Sequence, residues 1–93
     1  MSVVVNTIAP MNAEAYDAVT AKVIPDGQLP EGCQVHIAGP VEQGWRVITV
    51  WDSEEAFASF REDKLLPAIR EVAGEAPDQV RPEVNEVHRL ITA

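Results

Sequence analysis

The chain has 93 residues, 46% hydrophobic and 24% charged, the make-up of one small folded domain spanning residues 1–93. It is too short for two independent cores and too apolar for a disordered tail. Seven basic residues against 15 acidic ones give a net charge of −8, so neither nucleic acid nor an anionic membrane surface is an expected partner. The one cysteine, Cys33, excludes an internal disulfide framework and a thiolate zinc site. The apolar runs are far shorter than a membrane span, and no basic segment precedes the first strand-like residues. The expected setting is the cytoplasm.

The first strand is expected from Ser2 to Ala9, rich in Val, Ile and Thr, and Pro10 stops it. Asn12 then reads as a helix N-cap with Glu14 in the first turn. Met11 and Tyr16 have hydrophobic-staple spacing, and Tyr16, Val19 and Val23 share one apolar face. Pro25-Asp26-Gly27 ends this helix. Strands are expected from Cys33 to Ala38 and from Trp45 to Trp51, joined by a six-residue loop, Gly39 to Gly44. Ser53 before Glu54 and Glu55 is a second N-cap signature, with Ala56, Phe57 and Phe60 directed inward. Pro67 predicts a break or kink near Lys64 to Leu66. A last helical piece ends at Gly74, a connector runs from Glu75 to Pro82, and a fourth strand is expected from Glu83 to Thr92.

The order β-α-β-β-α-β defines an α+β, ferredoxin-like fold: a four-stranded antiparallel sheet with both helices on one face. A monomer should then show polar residues on the bare face. Instead, Trp45, Val47, Thr49 and Trp51 alternate with Arg46, Ile48 and Val50, so both faces are largely apolar. Packing of a second copy sheet to sheet, as a homodimer, is the expected solution.

Two histidines are the candidate acid–base groups. His36 reads either as a half-buried strand histidine or as a general base, since imidazole titrates near neutrality. His88 lies near the end of the last strand. No H-E-x-x-H, Cys/His cluster or calcium loop is present, so no metal is expected. Trp45 and Trp51 are packing residues by default and the wall of a ligand pocket by the sharper reading. Whether His36 and Trp45 share a face depends on the hairpin register. Ser53 reads as a cap, Cys33 as a buried thiol, and Arg46 and Arg89 as cations in need of a partner.

Three segments carry a family resemblance: Val35-His36-Ile37-Ala38-Gly39, Gly44-Trp45-Arg46-Val47, and Val50-Trp51-Asp52-Ser53-Glu54-Glu55-Ala56-Phe57. Together they resemble the dimeric α+β barrel superfamily, within it small actinobacterial-type proteins related to antibiotic biosynthesis monooxygenases. Leu65-Leu66-Pro67-Ala68 and Glu86-Val87-His88 fit the same pattern. The resemblance implies two ferredoxin-like subunits with their sheets packed into a barrel. It also implies a cofactor-independent monooxygenase or a polyketide-cyclase-like enzyme, acting on a small aromatic or apolar substrate between sheet and helices. His36 is then the candidate base, and Trp45, Trp51, Phe57, Phe60, Tyr16 and His88 the candidate binding residues. A non-catalytic homodimer that binds a small ligand or a protein partner is the alternative. A haem binder is the second alternative; Asn6 and Trp51 are its candidate residues, but the second helix, residues 54 to 73, lacks a histidine.

Overall fold

In the computed structural model, residues 1–74 and 81–93 are described. The expected connector therefore lies outside them up to residue 80. The elements follow the expected order. Strand β1 spans Val3–Ala9 and helix α1 Ala13–Val23; β2 spans Cys33–Val41 and β3 Gly44–Trp51. Helix α2 covers Glu54–Phe60, a π-helical turn Arg61–Leu65, α3 Leu66–Ala73 and β4 Glu83–Glu86. The four strands form one antiparallel sheet in the order β2-β3-β1-β4. This is the ferredoxin-like α+β arrangement.

Local chemistry sets the helix starts. The Asn12 Oδ1 accepts the Ala15 N–H at 2.9 Å, and the Ser53 Oγ accepts the Ala56 N–H at 3.1 Å. Each satisfies a backbone donor that the helix leaves unpaired, a contribution of about 1 kcal/mol. Ser53 is thus a cap. The sheet face under the helices carries the core, with Val3, Val5, Trp51 and Phe57 buried together. Trp51 and Val5 are each only 1% exposed. The Trp51 indole donates to the Thr49 Oγ1 at 2.8 Å, so its polar edge is satisfied inside this core.

Four expectations are corrected. The six-residue loop is strand for most of its length: β2 runs on through Gly39-Pro40-Val41 and turns at Glu42-Gln43, with Val41 paired to Gly44. Pro40 is accommodated because β2 is an edge strand, where a missing N–H costs no ladder bond on the solvent side. Gly44 is required at the turn exit. Its φ is +140°, and a Cβ there would lie 2.5 Å from the Ala9 carbonyl oxygen.

Pro67 does not break the second helix. The chain stays helical and widens into the π turn, where the Leu66 N–H reaches back five residues to the Arg61 carbonyl. The proline sits in the first turn of α3, where an N–H is dispensable.

Strand β4 is four residues long and does not reach Thr92. Glu86 pairs with Val3, where β1 begins, and after one more bond, Val87 N–H to Ser2 C=O, no strand remains to pair with.

Finally, strict alternation along Cys33 to Ala38 predicts His36 on the face opposite Cys33, and the structure places them on the same face. A bulge between Cys33 and Val35 resets the alternation, so Cys33 and His36 both face the helices.

Candidate functional site

A cavity of about 130 Å³ lies between the sheet and the helices. Its floor is the sheet face that carries Val5, Thr7, Val47 and Thr49. One cross-strand row places Val84, Val5, Thr49 and His36 side by side. Tyr16 and Val19 of α1, Phe57 and Phe60 of α2, and Arg61 and Leu65 of the π turn complete the walls. Most of this lining is apolar carbon.

Among the polar groups of the wall is a hydrogen-bonded pair. The Tyr16 hydroxyl hydrogen-bonds the His36 Nε2, linking α1 to β2 across the layers. The staple-spaced position of Tyr16 on α1 points its ring inward, and the β2 bulge turns His36 toward it. Burial removes water from the imidazole and lowers its pKa from the ordinary 6.5. His36 is therefore neutral at pH 7 and available as a base. Burial also raises the pKa of the Cys33 thiol, with Asp52 adding to the effect, and the thiol donates to the Val35 carbonyl at 3.5 Å. Cys33 is thus a protonated wall residue at neutral pH and a poor nucleophile.

The expected site residues divide into three groups. His36, Tyr16, Trp51, Phe57 and Phe60 all line the cavity. Trp51 stacks on Phe57 at 5.8 Å and on Phe60 at 5.1 Å between ring centroids, forming one aromatic end. Trp45 shares the face of His36, because Thr49 pairs with His36 and Trp45 with Pro40 in one register. It packs on Tyr16 at 5.2 Å but is not a lining residue, so it supports the tyrosine from behind. His88 does not line this cavity: it lies beyond β4 and is exposed. Arg46 and Arg89 are exposed as well. Thr49 and Arg61 went unpredicted. The signal for Thr49 was its inward parity with Val47 and Trp51. No sequence signal marked Arg61, which the π turn carries into the wall.

The residues do not fit a haem site. Asn6 lies on the sheet face away from the helices, paired with Ile48, whereas Trp51 is buried on the opposite face. Nor do the described residues contain a group of three potential metal-binding side chains.

No family model and no curated relative matches the sequence at a significant level. Comparison with solved structures finds several of the same fold. One, described as an antibiotic biosynthesis monooxygenase from Deinococcus radiodurans, has a TM-score of 0.63 and 16% identity, covering 100% of this chain and 98% of that one. Rv0793 from Mycobacterium tuberculosis gives 0.64 and 15%, with 98% of each chain covered. SnoaB, a cofactor-independent oxygenase from Streptomyces nogalater, gives 0.58 and 13%, covering 99% of this chain and 97% of that one. The chain therefore has the fold of the antibiotic biosynthesis monooxygenase-like α+β proteins over its whole length. No helix among the described residues is long and apolar enough to cross a membrane.

Proposed function

We propose that this protein is a cofactor-independent monooxygenase or cyclase-like enzyme that binds a small aromatic substrate in the cavity, with His36 as general base. The observation that carries the reading is the Tyr16–His36 hydrogen bond on the wall of a largely apolar cavity. A neutral imidazole whose Nε2 accepts from Tyr16 can take the tyrosine proton while the phenolic oxygen takes one from the substrate. The substrate anion is the product of that step. In the oxygenase reading the anion reduces O₂, a C–O bond forms, and the peroxide breaks down. One oxygen atom stays on the substrate carbon, and the other leaves as water with the hydrogen lost from that carbon and the hydrogen of the phenolic hydroxyl, so that a phenol becomes a quinone. The protein supplies position, a proton acceptor and exclusion of water. In the cyclase reading the same anion attacks a carbonyl carbon within its own molecule.

Oxygen-electrode assays with electron-rich phenolic substrates test this. The expected result is uptake by the wild type, a loss of at least about a hundredfold in His36→Ala, and unchanged circular dichroism. Turnover without oxygen uptake selects the cyclase reading. Binding without turnover selects the non-catalytic ligand binder.

A homodimer is part of the proposal. The sheet face away from the helices bears Val4, Ile8, Val35, Ile37 and Ile48. Ile37 is 55% exposed and Ile8 43% exposed. On the same face the Asn6 Oδ1 is buried with no hydrogen-bond partner among the described residues. A second copy packed there removes the apolar surface from water and brings donors to Asn6.

A further inference from the structure

We infer that the cavity selects single-ring phenols and excludes fused polycyclic ones. The inference rests on the reading of this cavity as the substrate site and names the class of molecule it takes. Volume is the first argument. The cavity holds about 130 Å³, and an apolar cavity of roughly 150 Å³ holds one benzene ring. One ring with a hydroxyl group fills most of this space, and each further fused ring adds about two-thirds of the first ring's volume.

Rigidity is the second argument. The aromatic end cannot easily retreat. Trp51 is 1% exposed, stacked on Phe57 and Phe60, and held at its indole N–H by Thr49. The floor residues, Val5 and Val47, belong to paired central strands of the sheet. On the opposite side, the hydrogen bond from Tyr16 to His36 ties α1 to the sheet. Packed walls of this kind resist added ring carbons, because off-rotamer shifts are costly.

Polarity is the third. The wall offers the Tyr16–His36 pair, with Thr7, Thr49 and Arg61, amid largely apolar carbon, and the pair matches a hydroxyl group on an otherwise apolar ring. An aromatic hydrocarbon lacking the hydroxyl forfeits that bond.

The test is binding of phenol, toluene, 2-naphthol and anthrone, followed by quenching of tryptophan fluorescence and by calorimetry. Oxygen uptake is measured on the same samples with phenol, 2-naphthol and anthrone, against an enzyme-free control. The expected order is phenol first, with toluene and 2-naphthol each at least about tenfold weaker and anthrone without saturable binding. Phe60→Ala vacates the room of one ring and should bring 2-naphthol up to the affinity of phenol. Val47→Leu narrows the floor and should weaken phenol, and it remains informative if Phe60→Ala fails to fold. Binding of 2-naphthol or anthrone as tight as that of phenol overturns the size limit and leaves the enzyme reading standing. Tight phenol binding in the expected order, with no oxygen uptake, overturns the oxygenase reading and leaves the size limit standing. Failure of every ring compound to bind overturns both.

Discussion

At the scale of single residues, the account depends on a neutral imidazole. Burial lowers the pKa of His36 in the folded chain, so the unfolded chain takes up a proton first as the pH falls. Stability from this group is full above the unfolded value of about 6.5. It declines as the pH drops below that value and levels off beneath the folded pKa. Urea unfolding of wild type and His36→Gln at a series of pH values should therefore diverge below about 6.5, with the wild type losing more stability. Turnover should show an acidic limb in the same window. Tyr16→Phe removes the hydroxyl that the proposed mechanism sets between substrate and base. It should lower turnover about as much as His36→Ala while leaving the melting temperature within a few degrees, as kinetics and thermal scans on one preparation would reveal. Trp51 sits at the opposite extreme of exposure and chemistry. Trp51→Ala should cost about 3–5 kcal/mol in denaturant unfolding, because it removes the largest fully buried side chain from the core.

At the scale of elements, the helix starts were legible in the sequence and several element ends were not. Asn12 and Ser53 announce their helices through side-chain chemistry that acts within three residues. The end of β4 depends on where β1 begins, and the persistence of β2 through Pro40 depends on its edge position; both are facts about partners distant in the chain. The bulge after Cys33 was equally hidden, yet it decides that His36 faces the cavity. The inward positions of Tyr16, Phe57 and Phe60 were readable from helical period, whereas the short β4 leaves His88 outside the cavity lining. Pro67 is the instructive case. Its missing N–H was correctly seen as a disturbance, but the helix absorbs it as a π turn that brings Arg61 and Leu65 to the cavity wall. Pro67→Ala restores a backbone donor. It should leave helix content by circular dichroism unchanged and weaken phenol binding by several-fold, as the turn relaxes toward α-helical register and the wall shifts.

At the scale of the whole molecule, the fold leaves one sheet face covered by helices and the other apolar and open. A chain this small buries a limited share of its surface on its own, roughly 60–65%. In the proposed homodimer, a second copy extends the core across that face. Ile37→Asp places a charge at the centre of that surface and should convert a dimer to a monomer in sedimentation equilibrium, with a lower melting temperature that becomes independent of concentration. A net charge of −8 on each chain favours solubility through mutual repulsion.

The most direct test of the account is a high-resolution structure of the protein with a bound single-ring phenol. The ring should lie between sheet and helices, edge toward Trp51 and Phe60, with its hydroxyl oxygen within hydrogen-bond distance of the Tyr16 hydroxyl or the His36 Nε2. A ring bound elsewhere, or a cavity filled by the protein's own side chains with Tyr16 and His36 apart, would contradict it.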